Sequence, residues 1–232
     1  KGDAYYTDTD LEHVTPFLLP ANQELTYIEQ PNPMKRYAIG VDVASGAGKD
    51  YSVIMVLEKM TNNPVCIFRS NEITPVNLAR KIQHISAEYN NAKALIESNN
   101  WGLPVLNELR NLGFINLWHD QLGNDWTTTS KSKLVLHEEL KEALRCGVIS
   151  ELDTITISEL RELALNKNGL APESVRGKSG HSDQVIALGL AFQCLKTIER
   201  PLSAAEKFFQ QTKTRATMKR TNLHSTVLPR GY

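Results

Sequence analysis

Residues 36 to 70 hold three consecutive apolar runs joined by turns too short to contain a helix, and this dictates how the fold must begin. Arg36–Val43, Tyr51–Glu58 and Val65–Ser70 are rich in Val, Ile and aromatic residues, the composition of buried strands. Ser45-Gly-Ala-Gly48 joins the first pair and Thr61-Asn-Asn-Pro64 the second, and both links carry residues that accept turn dihedrals. Short links make antiparallel neighbours. The pattern then changes to alternation. A helix starts at Pro75, with Leu78, Ile82 and Ile85 on one face, and a strand follows at Ala92–Glu97. Next come a helix over Gly102–Leu112 closed by Gly113, a strand at Phe114–Trp118 and a polar loop at Asp120–Thr129. A helix over Ser130–Cys146 places Leu134, Leu140 and Leu144 on one face. Ile155–Leu165 reads equally as helix or strand, Asn166-Lys-Asn-Gly169 as a hairpin tip, and Asp183–Ile198 as a buried helix. The expected fold is α/β: a mixed central sheet of three antiparallel hairpin strands then parallel strands, flanked by helices.

Residues 1–35 are polar and rich in Asp, Thr and Pro, and read as a linker leading into a domain over residues 36–199. The chain of 232 residues, 41% hydrophobic and 22% charged, is long enough for one such domain with a real core. Lys+Arg and Asp+Glu both number 26, so bulk charge does not draw the chain toward nucleic acid. The balance is uneven along the sequence, however. The tail over residues 200–232 carries seven bases (Arg200, Lys207, Lys213, Arg215, Lys219, Arg220 and Arg230) against Glu206 alone. Such an arm either contacts nucleic acid or an acidic partner, or is simply solvated. Cys66, Cys146 and Cys194 are scattered and fit reduced thiols rather than a disulfide framework or a Cys-ligated metal. No signal peptide or membrane-spanning run is evident, so a protein that is not secreted is expected.

Three of the apolar stretches end on, or begin from, an acid: Tyr37-Ala-Ile-Gly-Val-Asp42, Ala94-Leu-Ile-Glu97, and Asp183 ahead of Gln-Val-Ile-Ala-Leu-Gly-Leu-Ala. A carboxylate at the lip of a buried sheet is costly to ionise unless something positive binds there. Three converging on one point make a site for a divalent ion. Hard ions such as Mg²⁺ take oxygen ligands and keep several waters, so a few carboxylates suffice. Phosphodiester cleavage needs an activated water, neutralisation of charge on phosphorus and a stabilised leaving oxygen, which two ions roughly 4 Å apart supply. In this reading Asp42 bridges both ions, while Glu97 and Asp183 hold one each. Each acid taken alone is weak evidence, since an acid ending a strand is often a cap.

The runs Ile39-Gly-Val-Asp42-Val-Ala-Ser-Gly-Ala-Gly-Lys-Asp50, Ile96-Glu97-Ser-Asn99-Asn-Trp-Gly102 and Gly180-His-Ser-Asp183-Gln-Val-Ile-Ala-Leu-Gly-Leu-Ala resemble the nuclease domain of tailed-bacteriophage terminase large subunits. The resemblance covers about residues 36 to 198, and Thr127-Thr-Thr-Ser-Lys131-Ser-Lys133 fits it too. It implies a ribonuclease-H-like, resolvase-related fold and an endonuclease that cuts concatemeric double-stranded viral DNA during genome packaging. Asp42, Glu97 and Asp183 are then the catalytic metal triad, holding two Mg²⁺ or Mn²⁺ ions. It also implies an N-terminal packaging ATPase in the same subunit, with the portal and the small terminase subunit as partners in the host cytoplasm. The chain is then the C-terminal half of something longer, and its non-Met start agrees.

One departure bears on the chemistry. Many relatives carry two adjacent acids where this chain has Ser182-Asp183, so only Asp183 can be the carboxylate ligand. Any role of the missing acid is lost or passes to His181, which either handles a water or a phosphate or fixes the loop. Asp50 either assists the site or caps its turn. Lys131 and Lys133, at the start of a helix where a base opposes the dipole, suit phosphate contacts or are solvated. Trp101 and Trp126 pack on a base or sugar, or seal a core edge.

Two sequences imitate a phosphate loop and fail. Gly46-Ala-Gly48-Lys49-Asp50 has Val43 where the first glycine belongs and an acid where Ser or Thr would bind magnesium, and Gly177-Lys178-Ser179 has Pro172 at the glycine position. Two alternatives to the nuclease are an actin-like-fold phosphotransferase and a catalytically silent module docking to DNA or the portal. The first needs a second half with another phosphate turn, which the chain does not contain. In the second, the acids only cap.

Overall fold

The computed structural model describes residues 4–165, 172–175 and 181–199. Its centre is a five-stranded sheet in the order β2-β5-β4-β3-β6, built from β2 (Leu25–Tyr27), β3 (Tyr37–Asp42), β4 (Ser52–Glu58), β5 (Pro64–Ser70) and β6 (Lys93–Ile96). β3, β4 and β5 form the expected antiparallel meander, and β6 pairs parallel to β3. These strands are buried on both faces, so alternate side chains enter two cores. Ala38, Val53, Met55, Ile67 and Leu95 face one core with helices α3 (Ser130–Arg145) and α5 (Asp183–Lys196). Ile39, Val41, Ile54, Val56 and Phe68 face the other with α1 (Pro75–Glu88) and α2 (Gly102–Asn111). Thr74 caps α1, its hydroxyl accepting from the Asn77 N–H, with Pro75 at the first helical position.

α5 is buried on nearly all sides, as its apolar sequence requires, and it lies directly on β3. Gly40 permits this: a Cβ there would stand 2.1 Å from the Ala191 nitrogen and 2.2 Å from the Ala187 oxygen. The contact fixes where the acids go. From Ala187, one helical turn back along α5, about 5.4 Å, leads to Asp183. From Gly40, two residues on along β3, about 6.6 Å, lead to Asp42 on the same face.

Several expectations need correction. Residues 4–35 are not a free linker. β2 is an edge strand of the central sheet, β1 (Thr15–Phe17) pairs parallel with β7 (Glu151–Asp153), and Tyr6 is buried. Phe114–Trp118 is not a full strand but a single bridge between Ala94 and Leu117. Ile155–Leu165 contains both structures, since α4 (Thr154–Arg161) runs into β8 (Leu163–Leu165), which pairs with β9 (Pro172–Ser174). On α3 the core residues are Leu136, Leu140 and Leu144, with Leu134 only half-buried. The hairpin tip at 166–169, Gly177-Lys178-Ser179 and the basic tail lie outside the described residues. Among the described residues there is one five-stranded sheet, not the two halves an actin-like fold needs, and no helix is long and apolar enough to cross a membrane.

Candidate metal centre

Asp42 ends β3, and Glu97 is the residue after β6. Val41 pairs with Ile96, so the next residues on each strand, Asp42 and Glu97, are neighbours, and alternation puts both on the α5 face. Asp183 opens α5 and completes the set. All three line one polar cleft with Asp50, Ser45, Tyr51, Asn99 and Trp101. Glu97 is held from its own loop, where the Asn99 amide donates to its Oε1 (2.8 Å) and to the Thr128 carbonyl (2.8 Å). Gly102 is obligatory beneath it, because a Cβ would fall 1.6 Å from the Glu97 carbonyl oxygen. Asp183 Oδ2 accepts the Tyr51 N–H at 3.0 Å.

Burial and neighbouring charges make two acids of the cleft, Asp42 and Asp183, costly to ionise. Burial pushes the Asp42 carboxyl well above the usual range, and the charges of Asp183, Glu97 and Glu159 push it further. Asp183 is raised too, first by burial and then by Asp50, against the opposing pull of the Tyr51 N–H, His181 and Arg69. Among the described residues, no group of three His, Cys, Asp or Glu side chains is already gathered around a point that could hold a metal ion. The all-oxygen donor set fits a hard divalent cation that keeps much of its own water.

The other sequence candidates distribute unevenly. Asp50 lines the cleft. His181 Nδ1 stands 3.3 Å from Asp183 Oδ2 but off the line a hydrogen bond needs, and the nitrogen has no hydrogen-bond partner. Ser182 is the N-cap residue of α5, yet its hydroxyl makes no capping bond and it does not line the cleft. Lys131 and Lys133 fall in the first turn of α3, whose entry is fixed by a Thr129–Ser132 capping box. The preceding loop is tied to the Glu97 loop: the Ser98 N–H donates to the Trp126 carbonyl (2.8 Å), and the Ser98 and Thr127 hydroxyls are 2.9 Å apart. Trp126 packs on Trp118 and the core, whereas Trp101 is half-exposed at the cleft.

Glu159 on α4 was not legible in the sequence. Its Oε2 accepts the N–H groups of Gln184 (2.9 Å) and Val185 (3.2 Å), capping α5 from outside in place of Ser182. Its Oε1 is buried without a partner. Burial and the nearby Asp183 raise its carboxyl to about 7, against the pull of the same N–H groups and Arg69. No local motif announces such a residue, because its role depends on a helix met 24 residues later in the chain.

No protein-family model matches the chain. It is 26% identical over 183 residues to the terminase large subunit of Thermus virus P23-45, a match covering 75% of this chain and 35% of that relative. The chain thus spans about a third of that relative's length. Its structure is similar to the large terminase nuclease of thermophilic phage G20c with bound magnesium, with a TM-score of 0.70 and 23% identity over 82% of this chain and 98% of that one. It is also similar to the large terminase nuclease domain of Thermus phage P74-26, with a TM-score of 0.65 and 22% identity over 84% and 97%. The G20c nuclease has further been solved with cobalt. The chain shares the ribonuclease-H-like fold of large terminase nuclease domains.

Proposed function

We propose that this chain is the DNA-cleaving domain of a terminase large subunit, a metal-dependent endodeoxyribonuclease acting on concatemeric viral DNA during packaging. The observation that carries the reading is the meeting of Asp42, Glu97 and Asp183, from distant parts of the sequence, in one polar cleft. Asp42, Glu97 and Asp183 would hold the divalent ions. Mg²⁺ or Mn²⁺ held there would supply an activated water and would neutralise charge on the phosphate and the leaving oxygen. The products in this reading are a 3′-hydroxyl and a 5′-phosphate.

The chain's own residues prepare the site. Asn99 aims Glu97, the Tyr51 N–H aims Asp183, and Glu159 anchors the helix end from which Asp183 projects. His181 stands beside Asp183, its Nδ1 3.3 Å from Oδ2. Lys131 and Lys133, on the helix entered from the Glu97-linked loop, are assigned to phosphate contacts, which carry affinity without reading sequence. The ATPase half of the subunit, the portal and the small terminase subunit are the partners this reading implies, in the host cytoplasm.

The test is nicking and linearisation of supercoiled plasmid with Mg²⁺, Mn²⁺ or EDTA, comparing wild type with Asp183→Ala. Metal-dependent cutting that is lost in the variant supports the reading. Cutting that survives in the variant overturns the assignment, and no cutting with any metal favours the docking module.

A further inference from the structure

A second groove adjoins the carboxylate cleft. Tyr51 lines both, and beyond it lie Arg69 and Ser70 at the end of β5 and Asn71 after it, opposite the Leu19–Glu24 segment. Arg69 is half-buried, and its guanidinium carbon sits 3.2 Å from the centre of the Tyr51 ring. Val53 pairs with Arg69 across β4 and β5, so Tyr51, Val53 and Arg69 share the α5 face. His181 meets the same tyrosine ring edge-on, with centroids 5.6 Å apart.

Arg69 has no countercharge against it among the described residues. Among the described residues its side chain makes no ion pair, and its buried Nε has no hydrogen-bond partner. A cation removed from water normally has a carboxylate against it. Asp183 and Glu159 feel its charge but neither forms an ion pair with it: Asp183 Oδ2 accepts the Tyr51 N–H and Glu159 Oε2 the α5 N–H groups, while Glu159 Oε1 has no hydrogen-bond partner. Stacking on an aromatic face orients a guanidinium while leaving its donor fork free, the arrangement suited to bidentate phosphate binding.

We infer that Arg69, stacked on Tyr51, grips a backbone phosphate of the DNA strand running from the second groove into the carboxylate cleft. The inference rests on the nuclease reading and adds a strand path to it. Lysine would keep the charge but lose the fork and the stacking.

The experiment uses the full 232-residue chain and a short fluorescein-labelled duplex, with Ca²⁺ replacing Mg²⁺. Anisotropy gives the dissociation constant across a salt series for wild type, Arg69→Gln, Arg69→Lys and Tyr51→Leu. Arg145→Gln removes a matched charge from the far end of α3. Arg69→Gln is expected to weaken binding about tenfold and to flatten the slope of log K against log salt by about one. Arg69→Lys should keep the slope with weaker binding, and Arg145→Gln should change neither. Tyr51→Leu, which keeps the N–H to Asp183, should weaken binding even if Arg69→Gln folds poorly. An unchanged slope in Arg69→Gln, or an equal change in Arg145→Gln, overturns the inference. A role confined to tempering Asp183 and Glu159 would shift the pH profile of cleavage and leave the salt slope alone. Plasmid cleavage with an unaltered Arg69→Gln slope removes the strand path only, whereas no DNA binding by wild type removes the nuclease reading as well.

Discussion

Replacing Gly40 with alanine should push apart the two elements that bring Asp42 and Asp183 together. The added methyl would meet backbone on the facing helix, the Ala191 nitrogen at 2.1 Å and the Ala187 oxygen at 2.2 Å, with no flexible side chain to turn aside. Restoring ordinary contact at about 3.4 Å requires α5 to retreat from β3 by roughly 1.2 Å, through a buried core that tolerates little displacement. Overpacking of this kind costs about 1–3 kcal/mol, and a clash against backbone belongs at or above the upper end. A shift near 1 Å between ligand-bearing elements also costs on the order of a hundredfold in rate. Denaturant unfolding with a plasmid cleavage time course reads both effects. Gly189→Ala is the comparison: its methyl would meet the buried Leu136 side chain of α3 rather than backbone, so it should cost core stability without moving α5 off β3, and retained cutting is expected. Gly40→Ala with wild-type stability and cleavage would refute the claim that direct β3–α5 contact sets the site.

Two further perturbations test neighbouring parts of the account. Glu159→Gln keeps an oxygen for the Gln184 and Val185 N–H groups and should unfold within about 1 kcal/mol of wild type, whereas Glu159→Ala leaves both donors unmet and should lose roughly 2–3 kcal/mol in the same denaturant titration. Equal stability of the two variants would remove the capping role. His137 is fully buried, with Nδ1 2.9 Å from the Tyr6 hydroxyl and Nε2 without a partner, and burial pushes its pKa down to about 3. The unfolded chain protonates near 6.5 and the folded one resists, so this contribution is full above about pH 6.5 and is lost toward pH 3. Roughly 2 kcal/mol should be gone by pH 5, and His137→Leu should flatten that limb of the pH–stability curve. An unaltered acid limb in the variant would assign the acid sensitivity elsewhere.

What the sequence disclosed follows from physical range. β3, β4 and β5 are long enough for their apolar runs to be unmistakable, and the short turns between them leave one pairing. Asp42 and Glu97 were legible because each follows such a run directly, where a charge is out of place. Asp183 was legible because it opens a helix too apolar to be exposed. The missed features all depend on partners distant in sequence. β1, β2 and β7 are three residues each and owe their form to pairing. Glu159 sits within a stretch of mixed pattern and acts on the start of another helix. Arg69 is the penultimate residue of β5 and reads like any surface base, and the Tyr51 ring beneath it sets it apart. Leu136, Leu140 and Leu144 follow one another at four-residue spacing, whereas Leu134 stands about 120° round the helix from Leu140, and the packing of Leu136 against Gly189 of α5 agrees.

The central claim, that the three acids form a cation site rather than a set of caps, is tested most directly by thermal unfolding of wild type and Asp42→Asn, in EDTA and in saturating Mn²⁺. A buried acid whose folded pKa is raised penalises the fold increasingly as pH rises above its unfolded value, so at neutral pH removing its charge should stabilise the metal-free protein. The account predicts that Asp42→Asn melts higher than wild type in EDTA. Mn²⁺ should then raise the wild-type midpoint by mass action and leave the variant nearly unmoved. An Asp42→Asn protein that melts lower in EDTA and gains as much from Mn²⁺ as wild type would contradict it.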